Sequence, residues 1–99
     1  MLQLQTILPD TLELLKKIFE GRGSRKDFID VYLLLQHYSL EELLQFYSQK
    51  YPNYSIFRAL LSLTYFDDAE NEAMPKMFIT ESWNDIKSQI TTAVKNYQR

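Results

Sequence analysis

The chain contains no cysteine, which excludes disulfides, thiolate metal sites and cysteine nucleophiles. Its single histidine, His37, leaves imidazole chemistry almost no foothold. Two glycines and three prolines in 99 residues supply few tight turns, which disfavours sandwiches and barrels and favours helices joined by short connections. No run of about 18 apolar residues occurs, so no membrane-spanning helix is expected. The first residues lack the basic-then-apolar pattern of a secretory leader, and the expected location is the cytoplasm. Eleven Lys and Arg against 13 Asp and Glu give a net charge of −2, without the positive excess that grips a phosphate backbone, so there is no strong nucleic-acid signal. What is abundant is core material: 45% of residues are hydrophobic and 14% aromatic, too many for a disordered chain. The length suits one small domain.

Leu2, Gln3, Leu4, Gln5, Thr6 and Ile7 alternate with period two and read as a short strand over residues 1–8. A lone strand must be solvated, frayed or matched by another chain, the last implying a homo-oligomer. Residues 9–99 read as a helical domain. Asp10 with Glu13 forms a capping-box pattern for a first helix over about residues 10–20, carrying Leu12, Leu15, Ile18 and Phe19. Gly21-Arg22-Gly23 holds both glycines and marks the sharpest turn. Ser24 with Asp27 opens a second helix ending near Tyr38, and Ser39 with Glu42 a third that stops before Pro52. Asn53 is the expected cap of a fourth helix, with Ile56, Phe57, Leu60, Leu61 and Leu63 on its core face, running to about Phe66. An irregular acidic stretch follows to Phe78, and Ser82 with Asp85 caps a last helix with Trp83, Ile86, Ile90, Val94 and Tyr97 at helical spacing. The expected fold class is therefore all-α, a small bundle of about five amphipathic helices, with the N-terminal strand-like segment outside it.

The densest polar cluster is Arg22, Arg25, Lys26, Asp27 and Asp30, across the glycine turn and the start of the second helix. Asp27 and Asp30, three apart, point to roughly one side of that helix. Read functionally, Arg22 and Lys26 with the amides of the helix start make a phosphate-facing corner. Read structurally, Asp27 caps the helix and pairs with nearby cations, and such capping arrangements are common. The acidic run Asp67, Asp68, Glu70 and Glu72 lacks the glycine that a calcium loop requires and reads as a solvated connection. His37 reads as a helix-end residue. The aromatic set Tyr47, Tyr51, Tyr54, Phe57, Tyr65 and Phe66 has the spacing of core and helix-edge packing rather than of a base-stacking platform. No metal ligand set and no catalytic residue is assigned.

The stretch from Gly21 to Leu35, GRGSRKDFIDVYLLL, resembles a segment RG-x-x-KDFIDLYxLL in the C-terminal helical part of the abortive-infection nucleotidyltransferase toxins of the AbiEii/AbiGii type. Further segments agree in order: Ser39 to Leu43, Lys50-Tyr51-Pro52, the run Ser62 to Glu70 resembling SLxYFDDAE, Met74 to Met77, and Trp83. Together they cover roughly residues 9 to 95. Members of that family begin with a nucleotidyltransferase domain whose Gly-Ser turn and downstream Asp-x-Asp pair bind nucleotide and metal, and none of that precedes Leu2. Their first helix often carries a lysine in a D-I-x-A-M-K pattern. Here that position falls on Leu15, with Lys16 one residue later and about 100° around the helix.

The resemblance implies that Arg22, Lys26, Asp27, Asp30 and Tyr32 face a nucleotide, a catalytic domain or another partner. It implies a non-catalytic helical domain, either a stand-alone remnant or an interaction module, with a nucleotidyltransferase domain or an antitoxin protein as partner. One alternative is half of a split nucleotidyltransferase, which would use a nucleoside triphosphate and Mg²⁺ only once another chain supplied the catalytic domain. The other is a self-associating helical module. For the isolated chain the resemblance implies no cofactor.

Overall fold

The structure is a computed structural model that describes residues 9–75 and 80–98. Among these residues are five α-helices and no strand: α1, Pro9–Phe19; α2, Arg25–Leu34; α3, Leu40–Lys50; α4, Ile56–Leu63; and α5, Trp83–Tyr97. A 3-10 turn, Asp67–Ala69, follows α4. The fold is the expected all-α bundle. The strand-like reading of residues 1–8 lies outside the described residues.

Local chemistry sets most helix ends. The Schellman motif that closes α1 has the Gly21 amide donating to the Ile18 carbonyl at 2.9 Å and the Arg22 amide to Lys17 at 3.0 Å. It needs the left-handed backbone that Gly21 adopts at φ +79°. Gly23 is required for a different reason. A Cβ there would stand 3.0 Å from Ile18 Cγ1 and 3.2 Å from Phe28 Cε2, so the turn packs directly on the core. Ser24 and Asp27 form the expected capping box on α2, and Ser39 and Glu42 the one on α3. The Ser82 hydroxyl caps α5 by accepting from the Asp85 amide at 3.1 Å.

Four boundaries differ from the sequence reading. Asp10 lies inside the first turn of α1, where its charge suits the dipole, instead of capping it. The helical part of α2 ends at Leu34, and turns carry the chain to Tyr38. Ser55, not Asn53, caps α4, its hydroxyl accepting from the Arg58 amide at 3.1 Å, and α4 stops at Leu63.

Helix α1 packs on α2, α3 and α4, and α5 crosses α2, α3 and α4. The core between them includes Leu15, Ile18, Phe28, Ile29, Leu43, Phe46, Leu63, Ile86 and Ile90, all under 2% exposed. Burying each aliphatic side chain fully contributes about 1.5–3 kcal/mol. The expected core face of α4 is corrected. Ala59, Leu60, Ser62 and Leu63 point inward, while Ile56, Phe57 and Leu61 point out. The small Ala59 and Ser62 let α4 approach the backbone of α1. There the buried Ser62 hydroxyl donates at 3.1 Å to the Phe19 carbonyl, one of the acceptors that the end of α1 leaves without an intrahelical partner.

Candidate functional site

The five residues singled out at the glycine turn and α2 do not converge. One residue of helix turns a side chain by about 100°, so Asp30 and Tyr32 stand about 200° apart on α2. Lys26 and Asp30 form an exposed pair at 2.9 Å on the outer face. Asp30 also edges a shallow cleft of about 370 Å³ shared with Asp10, Thr11, Leu14 and the exposed His37. Tyr32 is buried on the opposite side and lines a larger cleft of about 570 Å³, together with Gln36, Gln89, Thr92 and Asn96. Burial, with the Glu81 carboxylate nearby, raises its phenol above the usual value.

At the start of α2 the cations and, apart from that of Lys26, the amides are already engaged. Arg22 pairs with Glu20 at 2.7 Å and Lys17 with Asp27 at 2.9 Å. The Ser24 amide donates to Asp27, the Asp27 amide to the Ser24 hydroxyl, the Phe28 amide to the Ser24 carbonyl and the Arg25 amide to the Glu72 carboxylate. Burial by itself raises the Asp27 carboxyl. Hydrogen bonds from the Ser24 amide, the Lys17 ammonium and the Ser24 hydroxyl outweigh it, so the group is held below the usual carboxylate range. The helix start thus carries carboxylates where an open anion site would offer unfilled donors.

A different constellation unites segments far apart in sequence. Arg25 Nε donates to the Ala69 carbonyl at 3.0 Å and a terminal guanidinium nitrogen to the Glu70 carbonyl at 2.7 Å. The same guanidinium lies 4.6 Å above the Trp83 ring. Trp83 Nε1 donates to Glu70 Oε1 at 2.8 Å, and Lys87 Nζ meets Glu70 Oε2 at 2.6 Å. Those two donors, Lys87 first, hold the Glu70 carboxyl below its ordinary value. Beneath them Phe28, Phe66 and Trp83 pack edge to face at 5.0–6.3 Å. Arg25, Glu70 and Lys87 act as a clasp between α2, the 3-10 turn and α5, a role that sequence reading missed. A signal existed for Arg25, because a cation in the first turn of a helix opposes the dipole and calls for an acceptor elsewhere. Lys87 had no such signal.

Tyr47, Tyr51 and Tyr54 behave as packing residues, whereas Phe57 and Tyr65, expected to pack as well, are exposed. Tyr47 meets Phe19, Tyr51 and Tyr54 at 4.7–5.0 Å, and burial raises the Tyr47 and Tyr54 phenols. Of the acidic run, Glu70 and Glu72 belong to the clasp and Asp67 and Asp68 are exposed. Among the described residues, no three His, Asp or Glu side chains are grouped to hold a metal ion, and no helix is long and apolar enough to cross a membrane.

No protein-family model matches the chain, and no solved structure matches it. An uncharacterized protein of Aquifex aeolicus (strain VF5) is 33% identical to it over 78 residues, covering 77% of this chain and 37% of that protein. The chain spans little more than a third of the length of that relative.

Proposed function

We propose that the chain is a non-catalytic helical domain of the abortive-infection nucleotidyltransferase type, working as an interaction module in the cytoplasm. The observation that carries the reading is the clasp. Arg25 and Phe28, Phe66 with Ala69 and Glu70, and Trp83 belong to three separate segments of the family resemblance, and these meet at one place in space. The length of the Aquifex protein, well beyond the matched region, suits a helical part joined to another domain. On this reading a nucleotidyltransferase domain or an antitoxin protein is the partner.

The test is direct. Purified chain is incubated with labelled nucleoside triphosphates, Mg²⁺ and RNA or protein acceptors, and no transfer is expected. Robust incorporation would overturn the reading in favour of an enzyme.

The split-enzyme alternative draws on the exposed Lys26 and Asp30 pair beside its cleft. It requires that co-expression with a catalytic domain yield a complex whose nucleotidyl transfer falls when Lys26 or Asp30 is replaced by alanine.

A further inference from the structure

Along α5, Gln89, Thr92, Ala93 and Asn96 share one face beside the buried row Ile86, Ile90 and Val94. They form one wall of the cleft of about 570 Å³ that Tyr32 lines from α2 and Glu41 from α3. That volume is in the range of small-ligand sites. From Gln89 to Tyr97 the cleft follows α5 for about 12 Å, at about 1.5 Å per residue.

Charge decides what such a cleft can hold. No lysine or arginine lines it. At one end the buried Tyr32 phenol lies beside Gln89 and feels the Glu81 and Asp85 carboxylates. At the other, Glu41 and Tyr97 line both this cleft and a neighbouring one. Glu81 accepts from the neutral Thr80 hydroxyl at 3.2 Å, and none of Glu41, Glu81 and Asp85 has an ion-pair partner among the described residues. A concave site walled by one sign of charge concentrates the opposite sign, so phosphates and other anions are repelled. A metal ion needs clustered ligands, and among the described residues no three His, Asp or Glu side chains are grouped to hold one. A purely apolar ligand would cover the amides and hydroxyl of Gln89, Thr92 and Asn96 without giving them partners.

We propose that this cleft binds a linear polyamine, with one ammonium group toward Glu81 and Asp85, another toward Glu41, and amine hydrogens between them donating to the side-chain carbonyls of Gln89 and Asn96. An extended triamine matches the length of the cleft, and its ends carry the charge that both ends of the cleft lack. Its methylene segments pack on Leu35 and on the rings of Tyr38 and Tyr97, which also attract ammonium groups. The site lies wholly within the described residues and does not rest on the nucleotidyltransferase reading.

Spermidine is the probe, titrated into the full chain at low ionic strength and followed by calorimetry and by amide resonances. Saturable binding with Kd between about 10 µM and about 1 mM is expected, with the largest shifts at Gln89, Thr92 and Asn96 and weaker binding as salt rises. A neutral glycol of the same length, and ATP, should leave those resonances in place. Glu41→Gln and Glu81→Gln should each weaken binding about three- to fivefold, and together by more than about tenfold. Asp67→Asn with Asp68→Asn removes as much charge at the 3-10 turn and should change nothing. Thr92→Arg puts a cation on an exposed position of the α5 wall and should abolish binding with an unaltered far-UV spectrum; Gln89→Lys replaces it if that spectrum changes. No binding up to about 10 mM overturns the site, as does equal binding of the glycol or equal loss on neutralising Asp67 and Asp68. Tighter binding of trilysine than of spermidine at the same resonances overturns the free polyamine and assigns the cleft to a lysine-bearing peptide.

Discussion

Replacing Arg25 by alanine should lower stability by about 2 kcal/mol. The guanidinium makes two hydrogen bonds to main-chain carbonyls, at 3.0 and 2.7 Å, and rests 4.6 Å over the Trp83 ring. A hydrogen bond from a charged donor is worth roughly 1.5–3 kcal/mol when shielded. Arg25 is only partly buried and the Glu70 bond is exposed, so each is reduced toward about 0.5–1 kcal/mol by competing water. Stacking on the indole adds about 0.5–1 kcal/mol at such a site. In a chain of this size a loss of 2 kcal/mol lowers Tm by roughly 8–16 °C. Trp83 is the sole tryptophan, so its emission reports the clasp directly, and urea unfolding followed by emission and by far-UV circular dichroism gives the free energy. Arg25→Lys keeps the charge but not the fork, and should recover less than half of the loss. A change under about 0.5 kcal/mol with unaltered Trp83 emission would refute the idea that this guanidinium joins α2 to the 3-10 turn and α5.

The two glycines should fail in different ways. Gly21→Ala forces an L side chain into φ +79° and costs about 1–2 kcal/mol without touching the core. Gly23→Ala overpacks Ile18 and Phe28 and costs about 1–3 kcal/mol, with shifted methyl resonances of Ile18 as its mark; unperturbed resonances would contradict the close approach. Acid should destabilise the fold. The Asp27 and Glu70 carboxyls titrate below their ordinary values of 3.8 and 4.5, so the folded state binds these protons less tightly than the unfolded one. Their contribution is complete above the ordinary carboxylate range and is lost as pH falls through the lowered values. The urea midpoint should drop below about pH 4, and Asp27→Asn should flatten the decline; a midpoint constant to pH 3 would argue against both pairs.

Most elements were legible locally because their determinants are local. Ser24 with Asp27 and Ser39 with Glu42 cap their helices through contacts three residues apart. The α4 assignment shows where that logic stops. Its eight residues offer apolar side chains in nearly every direction, so periodicity cannot select an inward face. The choice came from Ala59 and Ser62, whose small side chains allow close approach to α1. The candidate site was less legible still. Proximity along the chain grouped Lys26, Asp27 and Asp30 and the family resemblance added Tyr32, but helical rotation sends Asp30 and Tyr32 to opposite sides and the capping box claims Asp27.

By itself the sequence determined the helical class, the sharp turn at Gly21 and two complete capping boxes, because each rests on backbone geometry and hydrogen bonds spanning a few residues. Only the tertiary structure decided that Arg25, Glu70, Trp83 and Lys87 form one clasp and that Phe57 and Leu61 are left to solvent. Those outcomes depend on which helices touch and at what distance, and contacts between residues 40 or more positions apart leave no periodic trace in the order of the amino acids.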